Sequence, residues 1–349
     1  MIRIDLPLSK SMANRLLIIQ AKCGDALLPL TSDMPDDVVV MHRALTQIAA
    51  AGDTCCSVNV DNCGTAMRFL TAYCASTEGI EVIVDGSERM RQRPICPLVE
   101  ALGLLGADIE YMDCNGFPPL HIRGRLLPIQ AEPYYMPRSV SSQFVSALLL
   151  AGLRVTTKQQ SPYIDLTRRM LYDYCVEGKT IVPERDWSSA AFWYEHVALF
   201  GGELLLTDLT ADSQQGDRIA ADYFLPLGVQ TEYTPQGAIL KGIASNEQRP
   251  ELLLDCQLYP DLYPALAVTA AKLGHPLRIV NGEGLKYKES NRLKTVDALL
   301  NTPPTQIVQT YQDHRIAMAA MIAGYQVDDT ACVNKSYPLF MQQLCKLHE

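Results

Sequence analysis

The sequence lacks an apolar run long enough to cross a lipid bilayer. The longest such run, Ala147 to Leu153, stops at Arg154 and is far shorter than the roughly 20 residues that a membrane-spanning helix needs. Arg3 and Asp5 stand where a secretory signal peptide would have an apolar segment. With 48% apolar residues among 349, the composition is instead typical of a globular protein with substantial cores. We therefore expect a cytoplasmic protein.

Paired cysteine and histidine spacings are also missing. The eleven cysteines include no CxxC pair, and the six histidines form neither HxH nor HxxxH. A disulfide framework or a structural zinc site normally shows such spacings in the sequence. We therefore predict reduced, mostly buried cysteines and no metal site.

The chain has no excess of positive charge. Its formal net charge is −9 and its pI is near 5.2, which argues against nucleic acid as a partner because phosphate backbones are bound by a net basic face. The cations nevertheless occur in short groups: Lys10 and Arg15; Arg68; Arg89, Arg91 and Arg93; Lys286, Lys288 and Arg292; Arg315; and Lys335. If the fold brings these groups together, they form a pocket for a small polyanion; separately, each is an ordinary surface cation.

What the sequence does contain is a repeated α/β pattern. An apolar strand, a turn and a helix start recur at residues 80–111, 202–229 and 277–300. In each copy the turn leads directly into the helix N-terminus, where backbone N–H groups and the helix dipole favour anions. The length predicts two domains of roughly 150 residues each, or one large domain. The proline break at Pro183 places the crossing between them near residues 181–186.

One motif combines several cations with a single acid. Lys286, Lys288 and Arg292 surround Glu289 just after the glycine turn at residues 282–284. Such a group predicts an anion site in which a proton also moves. The alternative is a solvated helix N-terminus with Glu289 and Arg292 paired at i,i+3.

Further motifs follow one another along almost the whole chain. They are residues 7–11 with Asn14-Arg15, then 62–68, 88–94, 139–144, 162–165, 186–190, 215–217, Asp261, 288–292, 313–318 and 335–338. In this order they resemble the motifs of the enolpyruvyl transferases. Lys10-Ser11 and Ser141-Ser142-Gln143 are similar to the branch of the family that acts on shikimate 3-phosphate. The branch that acts on UDP-N-acetylglucosamine has Lys-Asn at the first of these places and lacks the second group.

The resemblance implies an α/β fold of two similar domains. Each domain would consist of three βαβαββ units about a pseudo-threefold axis, which is the inverse α/β barrel of this family. We expect an N-terminal domain at residues 7–184 with most of the contacts to shikimate 3-phosphate. A discontinuous domain, residues 1–6 plus 185–349, would carry the acid and base residues, with the active site in the cleft between the two.

The reaction implied by the resemblance transfers the enolpyruvyl group of phosphoenolpyruvate to the 5-hydroxyl of shikimate 3-phosphate and releases phosphate, on the route to chorismate and the aromatic amino acids. Addition requires protonation of the methylene carbon while the hydroxyl attacks its neighbour, and elimination then expels phosphate. By this resemblance Asp261 is the base and Glu289 the acid, and Lys10 and Lys335 stabilise charge and assist proton transfer. We expect a monomer with these small-molecule substrates, no nucleic-acid or membrane partner, and no cofactor.

Binding roles also follow from the resemblance, residue by residue. The positions that match shikimate 3-phosphate contacts are Lys10, Ser11, Arg15, Ser141, Ser142, Gln143, Tyr163, Asp261 and Lys288. The positions that match phosphoenolpyruvate contacts are Lys10, Gly64, Arg93, Gln143, Arg292, Arg315 and Lys335, supported by Asn62, Thr65 and His314. Hydroxyls and an amide suit a polyol phosphate, and guanidinium groups suit carboxylate and phosphate.

Each of these residues also has a purely structural interpretation. Asp261 between prolines is typical of a turn, Ser141-Ser142 of a helix cap, and His314 of a capping or core imidazole. Two other functions remain open. One is a binding or regulatory protein without turnover, suggested by shortened loops and by Leu8, where the family has glycine. The other is an enolpyruvyl transferase for a different hydroxyl acceptor.

Overall fold

The computed structural model describes residues 1–137, 141–244 and 249–347. By its packing the chain divides into two compact units. The N unit consists of Lys10–Thr31 and Asp37–Pro183, and the C unit consists of Met1–Ser9, Ser32–Asp36 and the chain from Glu184 onward. The predicted domains, 7–184 and 1–6 plus 185–349, differ from these units mainly at residues 7–9 and 32–36, which pack with the C unit.

Helices and strands alternate in both units. In the described ranges the helices are α1 (Lys10–Cys23), α2 (Asp36–Ala51), α3 (Gly64–Ala75), α4 (Cys96–Leu104), α5 (Ser142–Leu150), α6 (Pro162–Leu171), α7 (Trp187–Phe200), α8 (Ala220–Phe224), α9 (Tyr263–Leu273), α10 (Arg292–Asn301), α11 (His314–Ile322) and α12 (Phe340–Cys345). The strands are β1 (Ile2–Ile4), β2 (Cys56–Asn59), β3 (Glu81–Asp85), β4 (Asp108–Tyr111), β5 (Leu120–Arg123), β6 (Tyr134–Tyr135), β7 (Val155–Thr156), β8 (Glu203–Thr207), β9 (Val229–Thr234), β10 (Gly237–Gly242), β11 (Leu252–Asp255) and β12 (Leu277–Val280). Short 3₁₀ segments are Met90–Gln92, Gly216–Ile219, Gly282–Tyr287 and Ala331–Lys335, and a π-helical segment, Tyr172–Val176, follows α6. Among the helices of the described residues, none combines the length and the apolar character needed to span a membrane.

The repeated pattern predicted from the sequence is confirmed by these elements. Residues 80–111 form β3, α4 and β4, residues 202–229 contain β8 and α8 and reach β9, and residues 277–300 contain β12 and most of α10. The prediction that each turn leads directly into the helix N-terminus is wrong, however, because residues 86–95, 208–219 and 281–291, each with a short 3₁₀ segment, separate the strand from the helix.

The N unit contains a complete βαβαββ arrangement. β2, α3, β3, α4, β4 and β5 follow one another, and the sheet order is β2-β3-β5-β4. β2 and β3 are parallel, with Val58 opposite Val84, whereas β5 is antiparallel to β3 and β4. A second repeat is reduced to the parallel pair β6 and β7, with α5 between them and α6 after them. Residues 10–55 supply α1 and α2 without a strand.

The C unit repeats this topology. Its four-stranded sheet has the order β1-β8-β10-β9, in which β1 and β8 are parallel and β10 is antiparallel to both of its neighbours. β11 and β12 form a parallel pair around α9, with Leu252 opposite Leu277. A third repeat is reduced to the parallel bridge between Val308 and Val327 on either side of α11. A βαβαββ repeat ends in two consecutive strands. In the described residues, only one repeat of each unit has these two strands: β4 and β5 in the N unit, and β9 and β10 in the C unit.

Helix α7 shows how the core of the C unit is built. Nearly every residue from Trp187 to Val197 is buried, so this helix is central rather than amphipathic. Asp186 caps it, since its Oδ1 accepts the N–H of Ser188 at 3.0 Å. The Trp193 ring packs on Phe340 with the ring centroids 5.6 Å apart. The core therefore holds α7 on all sides.

Leu8 occupies the place where the family has glycine, directly before α1. It forms an antiparallel bridge with Arg185, and the next residue, Ser9, donates its N–H to the carbonyl of Glu184 at 2.7 Å. Helix α1 still begins at Lys10. The leucine is thus accommodated in a strand-like pairing, and the start of the helix is kept.

Candidate active site

The predicted site residues fall into two groups, one in each unit. Lys10, Ser11, Arg15, Asn62, Gly64, Thr65, Arg93, Ser141, Ser142, Gln143 and Tyr163 lie in the N unit, whereas Asp261, Lys288, Glu289, Arg292, His314, Arg315 and Lys335 lie in the C unit. Together with the residues that bind them, we call these groups the N cluster and the C cluster. The serine motif is described from Ser141 on, because Ser139 and Val140 lie outside the described residues.

Arg292 is the centre of the C cluster. It is the first residue of α10 and is only 1% exposed. Its guanidinium donates from Nε to Asp313 Oδ2 at 2.9 Å, from Nη1 to Asp261 Oδ1 at 2.8 Å and from Nη2 to Glu289 Oε2 at 3.1 Å. Burial acts to lower the pKa of this guanidinium, but the three carboxylates outweigh burial and raise the pKa above its usual value. Arg292 is therefore a permanent cation held in one orientation.

The motif around Glu289 contains the predicted pair of Glu289 and Arg292, but the pair is buried. Glu289 and Arg292 do form the i,i+3 ion pair of the simpler interpretation. Glu289 is only 8% exposed, however, and the helix begins only at Arg292, with Asn291 as its N-cap. The interpretation as a solvated helix N-terminus is therefore wrong, because this pair is buried.

Asp313 organises the C cluster, although it was not among the predicted site residues. It is fully buried and accepts hydrogen bonds from Arg292, from the hydroxyl of Ser290 at 3.0 Å and from the backbone N–H of Arg315 at 3.1 Å. A buried carboxylate needs such partners. An aspartate directly before an apolar helix signals an N-cap, and Asp313 caps α11. Its pairing with Arg292, 21 residues earlier, arises from the tertiary structure.

Arg315 has two hydrogen-bond donors that remain unused. It is the second residue of α11, is 1% exposed, and donates from Nη2 to Asp261 Oδ2 at 3.0 Å. Among the described residues, its Nε and Nη1 find no hydrogen-bond partner. Burial acts to lower the pKa of the guanidinium, and Asp261 leads the effects that raise it above its usual value. A buried guanidinium with two unsatisfied N–H groups is suited to a carboxylate or phosphate oxygen.

Asp261 stands among three cations. Its Oδ1 lies 3.3 Å from the Lys288 amine and also accepts from Arg292, while its Oδ2 accepts from Arg315. The residue lies in the turn before α9, as the structural interpretation expected, and its side chain is 18% exposed. A carboxylate that is surrounded by cations and still reaches solvent remains available to a polar ligand.

Lys335 and His314 complete the predicted residues of the C cluster. The Lys335 amine lies 4.0 Å from Glu289 Oε1, so Glu289 has a cation at each oxygen. His314 is the buried first residue of α11. The cluster therefore places the acids Asp261, Glu289 and Asp313 among the cations Lys288, Arg292, Arg315 and Lys335. This arrangement can both bind an anion and move a proton.

In the N cluster, the turn before α3 is built around two guanidinium groups. Arg93 donates from Nη1 to the carbonyl of Asn62 at 3.3 Å, and Arg68 donates from Nη1 to the carbonyl of Gly64 at 3.0 Å. A Cβ on Gly64 would lie 2.5 Å from a nitrogen of each guanidinium, so this close approach requires glycine. The N-terminus of α3 adds its dipole at the same place, and together these groups favour an anion.

Gln143 connects helix α5 to this turn. Ser141 caps α5, because its Oγ accepts the N–H of Gln143 at 3.3 Å, and the predicted cap is confirmed. The Gln143 amide oxygen accepts from Arg68 at 3.0 Å, and its nitrogen donates to the Thr65 hydroxyl at 3.1 Å. Gln143 is thereby fixed against the arginine, and Ser142 follows as the first residue of α5.

Lys10 forms a partly buried ion pair at the start of α1. Its amine lies 2.9 Å from Asp37 Oδ2, with 12% and 6% of the two side chains exposed. Neither Asp37 nor Arg68 was among the predicted site residues. Arg68 follows Gly64 by one helical turn, which was a local signal, whereas no spacing connected Asp37 to Lys10.

Arg15 lies in an interior network of the N unit. Its Nε donates to Thr167 Oγ1 at 2.7 Å, its Nη1 to the carbonyl of Ser11 at 2.7 Å, and its Nη2 to the carbonyl of Tyr163 at 3.1 Å. Burial lowers the pKa of this guanidinium to about 10. The contacts join α1 to α6, so Arg15 positions Ser11 and Tyr163 with respect to each other.

Comparisons with known proteins agree on one family. A family model described as EPSP synthase (3-phosphoshikimate 1-carboxyvinyltransferase) matches residues 27–303 and 302–344. A 3-phosphoshikimate 1-carboxyvinyltransferase of Bacteroides fragilis (strain YCH46) is 38% identical over 398 residues, covering 98% of this chain and 94% of the relative. One from Vibrio cholerae serotype O1 (strain M66-2) is 30% identical over 416 residues, covering 99% of this chain and 96% of the relative.

Solved structures agree on the fold. A structure of EPSP synthase from Acinetobacter baumannii superposes with a TM-score of 0.68 at 20% identity, covering 99% of this chain and 95% of that one. A second structure of EPSP synthase from the same organism gives a TM-score of 0.66, also at 20% identity, with coverages of 97% and 94%. The predicted two-domain inverse α/β fold is thus confirmed.

Proposed function

Since this chain belongs to the EPSP synthase family, we propose that it transfers the enolpyruvyl group of phosphoenolpyruvate to the 5-hydroxyl of shikimate 3-phosphate and releases phosphate. The named relatives, which match nearly the full length of the chain, support this activity and its place in aromatic amino-acid biosynthesis. A monomeric, cytoplasmic enzyme without nucleic-acid or membrane partners is part of the same proposal. So is the assignment of both clusters to one reaction.

The observation that carries the assignment to the C cluster is the pair of unused donors on Arg315. Nε and Nη1 are buried and without a partner in the described part of the chain, while Nη2 is fixed by Asp261. An unsatisfied buried donor costs about 1–3 kcal/mol, and an oxygen of phosphoenolpyruvate removes this cost. Arg292 and Lys335 add positive charge for the same ligand.

The base role belongs to Asp261 in this proposal. Three cations contact its carboxylate, and its side chain is 18% exposed. An ionised carboxylate can accept the hydrogen bond of the 5-hydroxyl and then its proton as the oxygen attacks. Lys288, which binds Asp261, is the neighbouring cation for shikimate 3-phosphate.

The acid role belongs to Glu289. One of its oxygens is held by Arg292 at 3.1 Å and the other lies 4.0 Å from the Lys335 amine. In the addition Glu289 gives its proton to the methylene carbon, and in the elimination its carboxylate takes a proton back from the resulting methyl group as phosphate leaves, so the acid is regenerated. Glu289 and Asp261 are bound to different nitrogens of Arg292, which keeps the acid and the base apart.

The N cluster supplies the remaining contacts in this proposal. Arg93, Gly64 and Lys10 bind phosphoenolpyruvate, and Gln143 contributes to both substrates. The residues assigned to shikimate 3-phosphate are Ser11, Ser141, Ser142 and Tyr163, with Arg15 as the cation that holds Ser11 and Tyr163 in place. Asn62, Thr65 and His314 support these groups. Hydroxyl and amide groups match ring hydroxyls without adding charge.

Glu289→Gln tests the proposed chemistry. The amide keeps the size of the side chain and its acceptor for Arg292 but has no carboxyl proton. We expect both substrates to bind with about wild-type affinity, while phosphate release and the incorporation of solvent deuterium at the methylene carbon fall by about 100-fold or more. Glu283→Gln, an exposed residue in the preceding 3₁₀ segment, is the matched control. Full turnover of Glu289→Gln with normal binding would exclude Glu289 as the acid.

Assays of the wild-type protein also test the two alternative functions, a binding protein without turnover and a transferase for another acceptor. Phosphate release with both substrates distinguishes the enzyme from a binding protein that lacks turnover. The same assay with a panel of hydroxyl acceptors distinguishes shikimate 3-phosphate from another acceptor. Family membership and the named relatives favour the first outcome in both cases.

A further inference from the structure

A group of metal-binding side chains lies on the sheet of the N unit, away from the clusters described above. The Cys55 thiol, a carboxylate oxygen of Glu81 and a ring nitrogen of His121 all lie within 4.8 Å of one another. Cys55 is a free, exposed thiol, and the other two residues are half-buried. None of the three has a part in the proposed reaction.

The strand pairing brings these residues together from distant parts of the sequence. Cys55 directly precedes β2, and because Cys56 is opposite Val82, Cys55 stands beside Glu81 at the start of β3. His121 on β5 is opposite Ile83, two residues after Glu81 and therefore on the same face of the sheet. This face is the outer one, since Val82 and Val84 of β3 are buried on the other. Spacing along the sequence, on which the prediction of no metal site rested, does not show such a group.

We propose that Cys55, Glu81 and His121 form a binding site for a divalent transition metal, with Zn²⁺ as the preferred ion. Thiolate, imidazole and carboxylate are its usual protein ligands, and three of them leave the fourth tetrahedral position to water. The thiolate and the carboxylate together balance the charge of the ion. Separations of up to 4.8 Å require the side chains to draw in by only a small rotation, because they lie at the open face of the sheet.

The surroundings of His121 offer both an acceptor and a competing cation to a metal-bound imidazole. Its Nε2 lies 2.8 Å from Glu81 Oε1, whereas its Nδ1 lies 3.3 Å from Arg123 Nη2 and 3.8 Å from Glu110 Oε2. When the ion takes Nε2, the ring carries its proton on Nδ1, so Arg123 must turn away from this nitrogen before the Glu110 carboxylate can accept the hydrogen bond. Arg123 is bound to Glu110 at 3.0 Å but also lies 3.9 Å from Glu81. The positive charge of Arg123 repels the metal ion, so we expect the site to bind the metal with moderate affinity.

Such an ion would join three strands at one end of the sheet. Cys55 lies before the first residue of β2, whereas the turn that holds Gly64 follows the other end of this strand. Metal binding to the folded state alone raises stability by RT ln(1 + [metal]/Kd). Metal binding would therefore stabilise the N unit even when no substrate occupies the turn at the other end of β2.

Titration of the full-length protein with Co²⁺ and Zn²⁺ under reducing conditions tests this proposal. We expect one equivalent of Co²⁺ to produce a thiolate-to-cobalt charge-transfer absorption, and Zn²⁺ to displace it and to raise the melting temperature. Cys55→Ser and His121→Asn should each abolish the absorption and the thermal shift. Cys56→Ser removes the adjacent thiol and should retain both, which makes it the matched control among eleven cysteines.

The variants also show how the proposal would fail. An absorption that survives in Cys55→Ser, or that disappears equally in Cys56→Ser, would place the metal on other thiols. The absence of any thiolate band with wild-type protein would also overturn the proposal. Circular dichroism of each metal-free variant establishes that it is folded, and Glu81→Gln, which keeps the shape of the side chain, provides a second test if His121→Asn is unstable.

Discussion

The arginines of the two clusters are bound by different kinds of oxygen. In the C cluster, Arg292 donates to three carboxylates. In the N cluster, Arg68 donates to the carbonyl of Gly64 and to the amide oxygen of Gln143, and Arg93 donates to a main-chain carbonyl. A carboxylate fixes a guanidinium and neutralises it, whereas a carbonyl or amide oxygen helps to fix it without adding a negative charge.

This difference suggests a division of tasks between the clusters. The guanidinium groups of Arg68 and Arg93, beside a helix N-terminus, favour an anion. In the C cluster the paired charges stabilise the local structure and bring carboxyl groups within reach of a proton transfer, and in the proposed function the unused donors of Arg315 bind the ligand. The N cluster is therefore suited to binding, and the C cluster to chemistry as well.

Asp313→Asn is expected to give the largest effect on stability. It leaves the buried guanidinium of Arg292 without its fully buried carboxylate partner, which lies 2.9 Å from Nε, and breaking a buried ion pair costs about 3–5 kcal/mol. The free energy of unfolding of the C unit should fall by this amount. Both tryptophans, Trp187 and Trp193, lie in that unit, so their fluorescence during urea unfolding measures it.

The control for this experiment is Asp297→Asn. Asp297 is exposed on α10, the helix that Arg292 begins, and its substitution should change the free energy of unfolding by less than about 0.5 kcal/mol. Equal effects of the two substitutions would contradict the view that carboxylates hold the C cluster together.

Glu195→Gln tests a buried carboxyl group that, unlike that of Asp313, has no cationic partner among the described residues. Glu195 is fully buried in α7, and neither of its oxygens has a partner among the described residues. Burial raises the pKa of this carboxyl well above its usual 4.5. The folded state therefore binds the proton more tightly than the unfolded state, so this group lowers stability as pH rises above about 4.5, by up to about 1.4 kcal/mol per pH unit until the folded-state pKa is reached.

Glutamine removes this titration. We expect Glu195→Gln and the wild type to differ little in melting temperature near pH 4, and the variant to gain progressively as the pH rises. The comparison of melting temperatures from pH 4 to 8 measures this gain. Parallel pH profiles of the two proteins would contradict an unpaired, neutral Glu195.

Gln143→Glu gives Arg68 in the N cluster a carboxylate partner, as Arg292 has in the C cluster. The new carboxylate would stand where the amide oxygen now accepts from Arg68 at 3.0 Å. Because it neutralises the arginine, we expect the affinity for phosphoenolpyruvate to fall by about 10- to 100-fold, which corresponds to roughly 1.5–3 kcal/mol. The KM for phosphoenolpyruvate at saturating shikimate 3-phosphate, determined from phosphate release, measures the change.

Gln47→Glu provides the matched control, since Gln47 is exposed on α2 of the same unit. It adds the same negative charge at the surface, where salt screens it, and should leave the affinity unchanged. If Gln143→Glu bound phosphoenolpyruvate as well as the wild type, the neutral partners of Arg68 would have no part in anion binding.

The sequence predicted the local features of both clusters and missed their nonlocal partners. The Ser141 cap and the Glu289–Arg292 pair follow from spacings of a few residues. The pairing of Asp313 with Arg292 depends on how helices pack, and so does the burial of Glu289. Burial in particular is a property of the whole unit, which is why a pair expected at the surface lies inside.

Gly64→Ala is expected to have the smallest effect, confined to binding. The added Cβ would lie 2.5 Å from the guanidinium nitrogens of Arg68 and Arg93. These are the ends of flexible side chains, so they can move aside at little cost in stability, but the anion site between them is displaced. We expect about a tenfold rise in KM for phosphoenolpyruvate, or about 1.4 kcal/mol, and a nearly unchanged kcat.

Gly103→Ala distinguishes this steric effect from the general effect of alanine in a helix. Gly103 lies in α4 of the same unit, and a Cβ there would meet nothing within 4 Å. Alanine should stabilise that helix slightly and leave KM unchanged. If Gly64→Ala also left KM unchanged, the close contact of the two guanidinium groups with the turn would not determine the shape of the anion site. Anion binding by the N cluster would then depend on its charge alone.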